Sequence, residues 1–180
     1  HPPQQGGTHQ VTAGQEALRS PSRGSVGNPP YLTAMHTVQA IAVVISNPLD
    51  TSLVLTVLRP DDDEDLPGVW GLPATSINGD ETDADAANRL GTRKLGAMLI
   101  LGTLLAEGIQ ERSIYHLTMR LYSAFLGATS PLLRASDNHD DGTTYYNEWK
   151  WAARDSLREG AKMGSLCCQL ALQSNHKESV

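Results

Sequence analysis

The sequence predicts a mixed α/β fold of the α+β kind, and three observations carry that prediction. β-branched apolar runs of strand length recur on both sides of residue 82. One Ala-rich stretch, bounded by helix-start and helix-stop residues, separates them. A second, amphipathic stretch closes the patterned part of the chain.

The elements follow in order. Residues 1–34 carry five prolines and five glycines among many Ser, Gln and Thr, without sustained periodicity. So little apolar surface does not offset the entropy of ordering, which predicts a flexible tail or extension before a domain over 35–180. Residues 38–45 (VQAIAVVI) form a continuous apolar, β-branched run and predict a buried strand. A turn at Pro48-Leu49 leads to a second strand over 52–58 (SLVLTVL). Residues 59–67 read as a loop containing five consecutive acids, residues 61–65, whose spacing lacks the alternation of a calcium loop and predicts a solvated segment. Residues 69–73 are short and apolar. A helix is predicted over 82–95, with Thr82 and Asp85 at capping-box spacing and Gly96 at the C-terminal cap. Strands are expected over 98–105 and 113–126, a polar loop over 127–144, a short strand over 148–152 and a helix over 154–174.

Composition narrows the function. A net charge of −6 over 180 residues argues against general nucleic-acid binding, which asks for a basic face. It leaves room for a small phosphorylated ligand in a local positive pocket. No apolar run nears the roughly 18 residues that suggest a membrane span, and no secretion signal is evident. The adjacent Cys167 and Cys168 lack both disulfide geometry and metal-site spacing, so two buried thiols in a reducing cytoplasm are expected. Small sheets often pair, which leaves a homodimer open.

The motifs then point to a family. Trp70-Gly71-Leu72-Pro73, the turn glycine Gly79, Glu81, Arg89 seven intervening residues later, and Gly96 follow one another at the spacing of a Nudix box. A later Glu148-Trp149-Lys150-Trp151 with Asp155-Ser156-Leu157 is similar to that family's last strand and final helix start. Over about 37–172 the chain resembles a Nudix hydrolase with a degenerate box. The resemblance implies an α/β/α sandwich around a mixed sheet, Mg²⁺ as cofactor, and hydrolysis of a diphosphate bond in a nucleoside diphosphate derivative. It makes Glu81 a catalytic acid and metal ligand, and Arg89 its partner.

The departures bear on mechanism. The family pattern asks for glycine at Thr75 and for glutamates at Leu90, Arg93 and Lys94. On a regular helix those three positions share a face. A face reading Leu, Arg, Lys repels a dication and attracts phosphate. Arg93 and Lys94 are therefore candidate phosphate ligands, with Arg59 and Trp70 as further ligand-binding candidates. Acids outside the box stand as substitutes: Glu107 and Glu111 near the expected strand turn, Asp137, Asp140 and Asp141 in the long loop, and Glu148. His116 is a conceivable base, and Tyr115, Tyr145, Tyr146, Trp149 and Trp151 are stacking or core aromatics. Two function classes follow: a hydrolase with a non-standard metal site, or a catalytically inactive domain that binds a nucleotide or a protein partner on the same face.

Overall fold

Strand β1 (His36–Asn47) is central, and its sequence explains why. Six consecutive residues, Ala40 to Ile45, are buried, because both faces of the strand are covered. Ala40, Ala42 and Val44 pack into one core cluster, and Ile41, Val43 and Ile45 into another. The computed structural model describes residues 35–134 and 143–174. Met35–Val180 forms one compact unit. The expected tail over 1–34 and the candidates Asp137, Asp140 and Asp141 lie outside the described residues.

Seven strands form one mixed sheet. After β1 come β2 (Asp50–Leu58), β3 (Trp70–Gly71), β4 (Ala74–Ser76), β5 (Leu99–Glu111), β6 (Tyr115–Leu126) and β7 (Glu148–Ala153). β1 runs parallel to β6, which pairs antiparallel with β5. β4 lies antiparallel on the other edge of β1. β2 pairs with β1 only near their hairpin, then carries β3 and β7. The two halves of the sheet therefore part beyond the hairpin, and this splay opens a cleft.

Helices cover both faces. α1 (Asp83–Leu90) buries Ala86, Ala87 and Leu90 against Ile41, Val43 and Leu55. On the opposite face α2 (Arg158–Lys162) and α3 (Leu166–Ser174) follow a 3₁₀ turn over Arg154–Leu157. Leu166, Cys167, Leu170 and Ala171 pack there against Ala42, Met119 and Leu121. The result is an α/β/α sandwich with a mixed sheet. Among the described residues no helix is long and apolar enough to cross a membrane.

Four boundaries differ from the sequence expectation. β5 extends six residues beyond 105, because 106–111 pair with 116–121 of β6 despite their polar pattern. Glu107 thus lies within the strand, while Glu111 ends it beside the turn. The closing helix is broken at Gly164, whose φ of 98° favours glycine and separates α2 from α3. β4 follows Pro73 directly. The expected helix over 82–95 is α-helical only to Leu90, and Gly91–Leu95 form a wider π turn closed by Gly96 N–H donating to Gly91 O. Thr82 and Asp85 do form the reciprocal capping box, and Gly96 does cap the end at φ 64°.

The π turn has a tertiary cause. A Cβ on Gly91 would lie 2.5 Å from Ala97 O and 2.7 Å from Leu99 Cβ. The helix is thus drawn against the start of β5 at a distance only glycine permits, and the widened turn carries the chain into that strand.

The start of α1 is pinned to the sheet. Arg120 donates to both carboxylate oxygens of Asp83 at 2.6 Å, and the Tyr122 hydroxyl donates to the same group. Hydrogen bonding by Arg120, then by Tyr122, holds the Asp83 carboxyl below its ordinary range. The stability this pair contributes is fully present above the unfolded carboxyl value of about 3.9 and is lost as pH falls through the lower folded value. Asp83→Asn is expected to cost about 2 kcal/mol near neutral pH, and the deficit should shrink as pH falls below about 4. Urea midpoints at the two pH values check this.

Candidate functional site

The splay between β1 and β2 holds a cleft of about 910 Å³. Val38, Ala40, Leu117 and Met119 make an apolar floor from β1 and β6. One end is built by the box segment, with Ala74, Thr75, Ser76, Arg89 and Lys94. The other is built by the loop after β2 and the β5–β6 turn, with residues 62–65, Arg112 and Tyr115, while Arg59 lies within electrostatic range of Tyr146.

Arg89 organises the box end. It donates to both carboxylate oxygens of Glu81 at 3.0 and 2.9 Å, to Thr75 Oγ1 at 3.1 Å and to Ser76 O at 2.6 Å. Thr75, where the family pattern has glycine, thus supplies an additional acceptor. Glu81 also accepts from Asn78 N–H at 2.7 Å. The Arg89 bonds, foremost, with that from Asn78 hold the Glu81 carboxyl below its ordinary range. Glu81 is therefore an ionised and already neutralised group that ties the turn over 75–81 to α1.

Leu90, Arg93 and Lys94 do not share one face. Leu90 is 1% exposed and belongs to the core under α1. Arg93 is exposed. Lys94 is 6% exposed and lines the cleft. The physical reason is the π turn. Each of its residues turns the chain by less than the roughly 100° of an α-helix, so Arg93 lags away from the stripe that Leu90 begins.

Lys94 reaches inward across the box. Its ammonium donates to Ala74 O at 2.9 Å and sits 5.1 Å from the centre of the Tyr146 ring. Tyr146 OH donates to the same carbonyl at 3.1 Å and accepts from Ala74 N–H at 2.9 Å. Burial pushes the Tyr146 phenol up to about 12, so it stays neutral and acts as a donor. A buried ammonium is costly without partners; here a carbonyl and an aromatic face supply them.

The far end is more ordered than an acidic run predicts. Asp63 is 4% exposed at its side chain and accepts from Leu66 N–H at 2.7 Å and Asp65 N–H at 3.1 Å. It also pairs with Arg59 at 3.1 Å, which fixes that arginine on the cleft wall. Asp65 accepts from Tyr115 OH at 2.9 Å and stands 3.6 Å from Arg112. Cys167, at the start of α3, lines the cleft with Ser165 Oγ 3.3 Å from its sulfur. Both cysteines are free and buried.

Other sequence candidates are not brought to the cleft. Glu107 pairs with Arg120 in register and Glu111 with His116, on the sheet face that carries α1. The cleft lies on the opposite face, so these two acids do not converge on it. His116 stands 3.9 Å from Glu111 on that same outer face. Trp70 is covered by Lys150, whose ammonium lies 4.1 Å from its ring centre. Trp149 and Trp151 form an edge-to-face pair against the core under α1. Arg112, Thr75 and Tyr146 complete the cleft; sequence spacing marks none of them as polar ligand groups.

These residues do not fit Mg²⁺. A hard dication asks for converging oxygen ligands. Glu81 is engaged by Arg89, Leu90 is in the core, and the Lys94 ammonium already occupies the Ala74 carbonyl. Among the described residues no group of three or more His, Cys, Asp or Glu side chains is placed to hold a metal ion.

No family model and no curated protein matches the sequence. Solved structures do match. The MutT protein of Methanosarcina mazei Go1 aligns at TM-score 0.65 and 13% identity, over 82% of this chain and 99% of its own. A Nudix hydrolase from Nitrosomonas europaea aligns at 0.61 and 13%, over 79% and 90%. An Ap4A hydrolase of C. elegans aligns at 0.56 and 15%, over 79% and 98%. These matches show the fold: the chain has the Nudix fold.

Proposed function

We propose that this chain binds a small nucleotide or other diphosphate-containing ligand in the cleft, with the charge of Lys94 serving where a Nudix hydrolase uses Mg²⁺. The observation that carries the proposal is the Lys94 ammonium, buried at the cleft wall on the Ala74 carbonyl. An ammonium there supplies one fixed positive charge facing the phosphates, strengthened by the low dielectric of a partly enclosed site. Arg89 adds a second positive group at the same end, although much of its charge is spent on Glu81. Neither residue activates water. The assignment therefore favours binding over magnesium-dependent hydrolysis. The two buried free thiols fit a cytoplasmic setting.

Hydrolysis of a nucleoside diphosphate-linked compound is the second reading. It rests on the fold shared with proteins described as hydrolases and on the retained Glu81. Calorimetry with ADP separates the two, run once with chelator and once with Mg²⁺, beside a turnover assay on nucleotide sugars and dinucleotides. Binding in chelator without turnover is expected. Turnover that requires Mg²⁺ and is abolished by Glu81→Gln would establish the hydrolase instead.

A further inference from the structure

Three large apolar side chains stand together in the open at one end of the sheet. Met98, Ile100 and Phe125 are 60%, 55% and 70% exposed. Ile100 lies directly across from Phe125 in the β5–β6 register. A Cβ on Gly127, next but one after Phe125, would lie 3.3 Å from Met98 Cβ. Side chains alternate along a strand, so all three project from the face that carries α3, opposite to Leu99 and Ala124 under α1. α3 docks farther along β5, where a Cβ on Gly108 would lie 2.9 Å from Leu170 Cδ2, and leaves them uncovered.

A contiguous apolar patch of this kind spans on the order of a few hundred Å², the size that marks a contact surface. Its surroundings in the sequence carry no charge. Residues 95–106 and 121–133, which bear and flank it, contain no Asp, Glu, Lys or Arg, in a chain of net charge −6. Two copies of an acidic chain repel through charged surfaces, and an uncharged one is where they approach at least cost. A foreign partner steered by charge finds nothing to read here. β5 is the last strand of its sheet, so the patch runs open to the edge. The register with β6 shifts between Leu101 and Ala106, and such a bulge bends the edge away from strand-to-strand pairing. The contact is therefore made by side chains of the face. The chain's own flanking segments fit it poorly. Residues 175–180 are Asn-His-Lys-Glu-Ser-Val, and residues 1–34 precede the end of β1 where His36 pairs with Tyr115, the opposite end of the sheet from Phe125.

We propose that a second copy of this chain covers the patch, in a two-fold contact where Phe125 of one copy packs on Met98 and Ile100 of the other. A two-fold axis makes each such contact twice. The area lies at the low end for a specific interface, so the dimer is a weak one that forms as concentration rises.

Sedimentation of the full chain between about 1 µM and about 500 µM tests this. The average mass should approach twice that of one chain across the range, and added salt should strengthen association by screening the net charge. Phe125→Thr, which keeps a β-branched strand former, should weaken dimerisation about tenfold or more. Met98→Gln, just before β5, should weaken it as well, and serves if the strand substitution disturbs folding. Ile109→Thr should change it by less than about twofold, because Ile109 is as exposed but sits on the opposite face of the same strand. A monomer at every concentration overturns the proposal, as does a dimer that responds equally to Phe125→Thr and Ile109→Thr. A monomer that dimerises only after removal of residues 1–34 assigns the patch to the chain's own N-terminal segment and overturns it too.

Discussion

Leu90→Glu, which restores the glutamate of the family pattern, is expected to cost about 4 kcal/mol and to gain no metal site. Leu90 is 1% exposed among Ile41, Leu55, Ala87 and Leu95. The substitution removes a packed isobutyl group, worth about 2–3 kcal/mol when fully buried. It adds a carboxyl with no partner, which protonates or drives the helix outward. Arg93→Glu, one turn on and exposed, should cost far less, about 1 kcal/mol at most, the scale of an exposed ion pair. The contrast is the informative quantity, because a regular helix placing both side chains on one solvated face would make both changes mild. Urea unfolding of the two variants measures it. A mild Leu90→Glu accompanied by new Mg²⁺ affinity would mean that the π turn does not separate these positions.

Lys94→Met has the largest expected effect on binding. Methionine keeps the length and apolar stem of lysine, and Ala74 O retains the Tyr146 hydroxyl as donor. Stability should therefore change by less than about 1 kcal/mol. The phosphate end loses its buried charge, however. Charge-assisted hydrogen bonds contribute about 1.5–3 kcal/mol, so affinity for ADP in chelator should fall by about 10- to 100-fold. Arg93→Met, at the exposed position, should leave affinity within about twofold at ordinary salt, because an exposed charge is well screened. Equal losses from the two substitutions would return the phosphate site to the outer helix face.

The fold was legible where local chemistry and tertiary structure agree. The unbroken apolar run before Asn47 announced a strand covered on both sides, and β1 is that strand. Thr82, Asp85 and Gly96 marked the limits of the box helix, and their capping roles are local enough to be read from spacing alone. The π turn was not legible. Gly-Thr-Arg-Lys-Leu carries no local signal for it, and its cause is the approach of Gly91 to Ala97 and Leu99. The same holds for the far half of β5, where Ala-Glu-Gly-Ile-Gln-Glu reads as a connection until β6 pairs with it.

The site was half legible. The family resemblance implied Arg89 as the partner of Glu81, and the two form an ion pair; the reversal of charge at Lys94 was visible in the sequence. Its direction was not, since a helix charge is solvated by default and only the π turn sends this one inward to Ala74 and Tyr146. Glu107 and Glu111 looked like substitute acids because they stood near a turn. The register with β6 places them on the face away from the cleft. Arg112 is a single arginine in a short turn, and only the fold shows that its Nε is buried without a partner beside the cleft.

In the proposed function, a lysine of the box helix does electrostatically what a metal ion does in a Nudix hydrolase. A crystal structure of the protein soaked with Mg²⁺ and a non-hydrolysable nucleoside diphosphate analogue tests it most directly. A phosphate oxygen within about 3 Å of Lys94 Nζ and no metal on the Ala74 carbonyl are expected. A Mg²⁺ ion at about 2.0–2.1 Å from Glu81 and Ala74 O, with Lys94 displaced, would contradict it.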